Sequence, residues 1–324
     1  MLAMLDCCSG KIEKPAHGMA TRFQIKGMFK SFIAGTVATI IAAASTIAAA
    51  ATASVPVLRV TAPNGQTSIL IGSIHVPVEG LNQPAPSIFA GARHYVIEHS
   101  GFATLPADKA SESGAAGDWA KSLTDAEINV YLHRATCAGL PETSARNWLQ
   151  EPTPHESNAL AYTICPLPRY ATSRDVYLFS IAPVALRQNP EVLEDANWVE
   201  LQRRKVPASY DVSGFKWALA HDPRTVLEQT RDALNAGDYE AIRTQVLESL
   251  GSPDAAAVYT RHMVDERNVE WLPRLDAILK DGHAVVVVGA MHFPGASGLI
   301  TLLRERGYKV DPINWPGVAI GDTH

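Results

Sequence analysis

The sequence predicts an α/β protein: a mixed β-sheet core from two pseudo-repeated halves that carry Gly-x-x-His loops, with a mainly helical region between them. Three observations predict this. Val285 to Val288 are four consecutive β-branched residues, the pattern of a buried strand. The stretch Ile69-Leu-Ile-Gly-Ser-Ile-His-Val-Pro77 shares with 285–298 an apolar run, then Gly, two residues, His, one residue and Pro. Gly72, His75 and Pro77 thus match Gly289, His292 and Pro294. Between 99 and 254 the caps and breakers are those of helices.

The chain has 324 residues, but 1–53 read as a signal peptide with an upstream extension. Ser31 to Ala53 carries no charge, follows Lys26 and Lys30, and closes on Ala51-Thr52-Ala53, a small-x-small cleavage pattern. Its length also suits a span of about 20 residues, so an uncleaved membrane anchor is the alternative. Residues 54–324 then form a single domain, with 54–98 and 255–324 as sheet-forming halves and 99–254 as a mostly helical insert. The expected location is periplasmic or secreted.

The first 53 residues hold five of the 28 basic and two of the 33 acidic residues, which leaves the remainder with a net charge of −8. Such a chain has no general attraction for nucleic acid or anionic membrane. No second apolar run approaches membrane length. Cys7 and Cys8 fall in the leader, so Cys137 and Cys165 remain. In an oxidising compartment they are expected to pair, the alternative being two buried thiols.

Pro56–Thr61 and Thr67–Ile71 are short β-like runs around Asn64-Gly65, hence a hairpin. The second strand leads to His75. Residues 78–92 form a crossover, and His94 to Glu98 a further strand with Glu98 at its carboxyl end. Thr124 and Glu127 make a capping box for a helix to about Ala138. Asp222 caps a helix with Pro223 in its first turn, and Asn235-Ala-Gly237 stops it. Asp238–Leu250 continues as another helix, and the pair carries no recognisable chemistry. Ser252-Pro253-Asp254 opens a helix that Pro273 should kink or split. Asp281-Gly282 then turns into the valine strand, Ser297–Arg306 is a helix and Tyr308–Val310 a closing strand. This order matches a βαβ unit. The cluster Arg203-Arg-Lys205 reads as a solvated face.

A Gly at a strand end permits a tight turn or a close approach. A His three residues later lies at the strand mouth, where open α/β sheets place their chemistry. Two histidines on converging loops can bind a divalent metal or serve as acid and base. Glu98 adds a carboxylate, whose bland reading is a solvent-facing strand end. No Gly-x-Ser-x-Gly elbow, P-loop or dinucleotide fingerprint is present.

Gly72-Ser-Ile-His75-Val-Pro, Ile97-Glu98, Glu266-Arg267-Asn268-x-x-Trp271 and Val288-Gly289-Ala-Met-His292-Phe-Pro-Gly295 together resemble the TraB/GumN family, which includes the pheromone-shutdown proteins and the Tiki metalloproteases. The resemblance covers about 56–98 and 255–313. It implies an exported metal-dependent hydrolase acting on a peptide or protein substrate. The divalent ion (Mn, Co or Zn) would be held by His75, His292 and Glu98, with Arg267 completing the catalytic set. Gly72, Gly289 and Asn268 would support it. Arg267 could hold Glu98, clamp a substrate carboxylate or stabilise an oxyanion. The family often continues past this Glu with an apolar residue and Asp. Here His99 and Ser100 follow, which puts a second acid in doubt unless His99 replaces it. The alternative function is a peptide-binding or sequestering protein of the same fold with little or no turnover.

Overall fold

Residues 53–101, 103–105, 117–166 and 172–318 are described by the computed structural model. The expected signal segment, apart from Ala53, lies outside them. Strand β1 (Ser54–Thr61) and β2 (Thr67–Ser73) form the antiparallel hairpin, closed through Gly65 at φ +86°. That left-handed conformation is the reason for a glycine there. The remaining strands are β3 (Gln83–Pro84), β4 (His94–Ile97), β5 (Glu191–Val192), β6 (Ala284–Gly289) and β7 (Lys309–Val318). Their order in one mixed sheet is β3-β7-β1-β2-β6-β4-β5. The valine strand β6 lies between β2 and β4 and runs parallel to both.

Successive side chains of β6 point to opposite faces, and both faces are covered. Val286 and Val288 join Leu70, Val96 and the helical layer on one side. Val285 and Val287 join Ile71, Tyr95, Phe89 and Leu178 on the other. All four valines are at most 2% exposed, which explains an unbroken apolar run in place of an alternating one. Each such side chain contributes about 1.5–3 kcal/mol on burial.

The helical region contains α1 (Asp125–Cys137), α2 (Glu142–Trp148), α3 (His155–Ala161), α4 (Arg174–Ile181), α5 (Val184–Gln188), α6 (Ala196–Arg203) and α7 (Ser209–Ala220). Helices α8 (Pro223–Ala236) and α9 (Tyr239–Glu248) follow as a hairpin, α8 ending at Gly237 in the left-handed conformation. The Thr124–Glu127 capping box opens α1. A disulfide joins Cys137 to Cys165. Arg203 and Arg204 pair with Glu200, and Lys205 with Glu266.

Helix α10 (Pro253–Tyr259) passes through a π-helical turn, Thr260–Asp265, into α11 (Glu266–Asp281). Pro273 does not split the helix: it lies inside α11. The carbonyl it leaves unbonded belongs to Val269, which is 55% exposed and so faces water. The irregularity sits about two turns earlier, in the π-helical segment that ends at Asp265. Helix α12 (Leu299–Glu305) leads into β7, longer than the expected Tyr308–Val310 and paired with β1 along its length. Pro312 and Pro316 have the same parity, so their missing N–H groups fall on one edge. That edge is covered by β3 only at Gly317 and Val318. Among the described residues no helix is long and apolar enough to cross a membrane.

Candidate functional site

The site forms where three parallel strands end together. Gly72 lies beside Val288 and Ser73 beside Gly289, so the two His-bearing loops leave the sheet at the same level. Ile97 lies beside Val287, which places Glu98 next to the end of β6. The Gly289 N–H donates to Glu98 Oε1 at 2.5 Å. A Cβ on Gly289 would stand 3.3 Å from Glu98 Oε1, 3.5 Å from His292 Cδ2 and 3.8 Å from His75 Nε2. The two histidines and the glutamate thus converge on one glycine whose lack of a side chain lets them approach.

Helix α11 supplies the centre of the cluster. Arg267, Asn268 and Trp271 project from adjacent turns and are all buried. Arg267 Nε donates to Glu194, Nη2 to Glu194 and to Glu98 Oε2 at 2.8 Å. Its Nη1 donates to the Met263 carbonyl at 3.1 Å, in the π-helical turn, and to His292 Nε2 at 3.4 Å. Asn268 holds the other side of the imidazole. His292 Nδ1 donates to Asn268 Oδ1 at 2.6 Å, while Asn268 Nδ2 donates to the carbonyls of His292 and Ser297. The His292 tautomer follows: a proton on Nδ1 and a lone pair on Nε2. The imidazole packs on Trp271 at 4.4 Å between ring centroids, and the Arg267 guanidinium lies 5.1 Å from the same ring.

His75 is half-buried and its Nδ1 meets Asp175 Oδ2 at 3.0 Å, from the first turn of α4. The neighbouring Arg174 is fully buried and donates to the carbonyls of Gly72 and Asn82. It thereby ties the end of β2 to the crossover.

Burial pushes the Glu98 carboxyl up, but Arg267, both histidines and the Gly289 amide outweigh it and hold it well below the usual carboxylate range. Burial drives the His292 imidazole down to about 3, the pull of Glu98 being opposed by Arg267. His292 is therefore neutral near pH 7. Burial pushes Glu194 upward against its bond to Arg267. For Asp175 burial is overcome by His75, and its carboxyl stays low.

Above this floor lies a cavity of about 650 Å³, open mouth included, lined by His75, Glu98, Arg267 and His292 below. Leu234 of α8, Ile242 and Val246 of α9, Val264 and Met291 make its apolar wall. The hairpin expected to carry no chemistry thus builds much of the wall. His99 does not line the cavity, and its Nδ1 is buried without a hydrogen-bond partner. Glu194, Asp175 and the wall residues other than Met291 had no sequence motif to mark them.

The expected metal centre is overturned. Among the described residues no group of three or more His, Cys, Asp or Glu side chains could hold a metal ion. The physical reason is Arg267. Its guanidinium occupies the cation's position, bonded to Glu98 and facing the His292 Nε2 lone pair that a metal would need. A divalent ion would have to displace or adjoin a buried positive charge. The assignment of Mn, Co or Zn to His75, His292 and Glu98 is withdrawn, and with it the metal-dependent peptidase or hydrolase.

These features define an α/β protein with an ion-paired floor and an apolar cavity at the ends of its parallel strands. Residues 196–312 match the TraB/PrgY/gumN family model. The matched span contains Arg267, Asn268, Gly289 and His292; it begins two residues after Glu194 and excludes His75 and Glu98. No curated protein and no solved structure matches the chain.

Proposed function

We propose that the protein binds and sequesters peptides, or extended segments of proteins, in this cavity with little or no turnover. One observation carries the reading: an apolar wall stands over a floor whose charged groups already satisfy one another. The wall offers affinity and the floor orientation, the usual division of labour in a binding pocket. The leader-like 31–53 segment and the disulfide support a periplasmic or secreted location, and the net charge of −8 on 54–324 argues against nucleic acid. Within one domain spanning 54–324, we read the two Gly-x-x-His loops as a pseudo-repeated pair. The support is that β2 and β6 are parallel neighbours and each leads to a histidine lining the same cavity.

The test is calorimetric titration of the full chain with short extended peptides of apolar sequence, followed by mass spectrometry of the mixture. Saturable one-to-one binding is expected, weakened about tenfold or more by Val246→Trp, which fills the cavity, with the peptide recovered intact. Affinity unchanged by Val246→Trp would sink the reading, and so would progressive cleavage of the peptide.

A further inference from the structure

The hydrogen bonds of the floor say which end of a peptide it accepts. An arginine has five N–H groups, and Arg267 uses all of them: one from Nε to Glu194, two from Nη1 to Met263 and His292, two from Nη2 to Glu98 and Glu194. Both N–H groups of Asn268 go to backbone carbonyls. The Thr230 hydroxyl donates within the helical hairpin, and the Gly289 amide donates to Glu98. A ligand carboxylate entering the cavity would therefore find every N–H of Arg267 already in use, and would face Glu98.

Acceptors are in better supply. A carboxylate offers about four lone-pair positions, and Glu98 receives one N–H on each oxygen, from Gly289 and from Arg267. Its side chain is 12% exposed and lines the cavity. The hydroxyls of Ser73 and Tyr259, also in the lining, can accept as well as donate. In the floor two carboxylates, Glu98 and Glu194, share the guanidinium of Arg267, while Asp175 pairs with His75. Of the other nearby guanidinium groups, Arg174 is turned to the Gly72 and Asn82 carbonyls and Arg243 to the Pro294 carbonyl. The lone pairs left on Glu98 call for a compact group rich in donors. The wall of Leu234, Ile242, Val246, Val264 and Met291 calls for an apolar side chain attached to it.

Resting on the peptide-binding reading, we infer that the cavity takes the free amino terminus of a peptide whose first side chain is apolar, its ammonium group on Glu98. The ammonium supplies three N–H donors and a charge opposite to that of the carboxylate. A Lys side chain would bring the same cation but would thread a long stem through a wall suited to a short apolar group.

The experiment compares one apolar peptide in three forms with the full chain: unmodified, N-acetylated and C-amidated. Acetylation removes the charge and two donors and is expected to weaken binding by about tenfold or more, while amidation leaves it within about twofold. In Glu98→Gln the unmodified and acetylated forms should bind alike. Equal affinity of these two forms for the unaltered protein overturns the amino-terminus assignment and leaves the peptide-binding reading in place. Loss on amidation instead of acetylation also overturns it, because the opposite end is then the one recognised. Absence of binding by all three forms removes the peptide-binding reading itself. The wild-type comparison decides the matter even if Glu98→Gln fails to fold.

Discussion

Arg267 is a fixed internal cation, and its surroundings impose a pH dependence on the whole fold. Its Nη1 donates to His292 Nε2, so that imidazole must stay neutral, and burial lowers its pKa to about 3. In the unfolded chain the same group titrates near 6.5. As pH falls below 6.5 the unfolded chain takes up a proton that the folded protein refuses, so stability is present above 6.5 and is lost between 6.5 and about 3. Glu98, with its carboxyl held low, adds a loss in the same direction at more acidic pH. His94 works oppositely. Burial lowers it, but Glu191 and Asp281 outweigh that and raise it, so its contribution fades as pH rises. A difference between variants isolates His292: the stability lost in His292→Gln should shrink by about 2 kcal/mol between pH 7 and pH 5. Denaturant titrations at the two pH values measure it, and a pH-independent difference would refute the assignment. The two histidines and Glu98 were legible in the sequence because strand ends and repeated spacing marked them, whereas Arg267 was marked only by the family resemblance. Glu194 and Asp175 were not, since they sit 73 and 100 residues from their partners in a region without a motif. Those two acids change the chemistry, because Glu194 helps keep a guanidinium where a metal had been expected.

Glycines at the strand ends set how closely the elements pack. A Cβ on Gly72 would lie 2.9 Å from Tyr239 Cε1, 3.1 Å from Phe293 Cε2 and 3.2 Å from the Ala290 Cβ. Tyr239 and Phe293 form an edge-to-face pair with centroids 4.9 Å apart, between α9 and the loop after His292, so neither ring can yield freely. Gly72→Ala should therefore cost about 1–3 kcal/mol, the usual penalty of overpacking. Gly289→Ala meets its neighbours at 3.3 Å and beyond, and those neighbours are Glu98 and the two histidines. It should disturb stability less and peptide binding more. Thermal melts and peptide titrations of the two variants check the contrast, and equal destabilisation with unchanged binding in both would contradict it. At this scale strands β1, β2, β4 and β6, the capping box of α1 and the hairpin α8–α9 were readable, because periodicity and end signals are local, while β3, β5 and most of β7 were not. The continuity of α11 through Pro273 was not, since it depends on which carbonyl faces water.

Six of the seven strands come from the two ends of the described chain, with β6 inserted between β2 and β4, so the helical region, which adds only β5 at one edge, must fold back over the faces. That arrangement makes long-range closure a main entropic cost of this fold. The Cys137–Cys165 disulfide acts within the helical region, tying the end of α1 to the segment after α3 across a separation of 28 residues. A loop of that length gives about 3–4 kcal/mol by constraining the unfolded chain. Neither cysteine lines the cavity, so their removal tests stability apart from binding. Cys137→Ala/Cys165→Ala should lower the unfolding free energy by about that amount, with a smaller loss if the unfolded chain keeps residual structure. Peptide affinity at low temperature should be unchanged, because the wall comes from α8, α9 and the segments flanking β6 and preceding α11. Denaturant unfolding of the oxidised protein and the double variant measures the first effect, and calorimetry the second. A variant as stable as the parent would show that the crosslink adds nothing the packing of α1, α3 and α7 does not already supply.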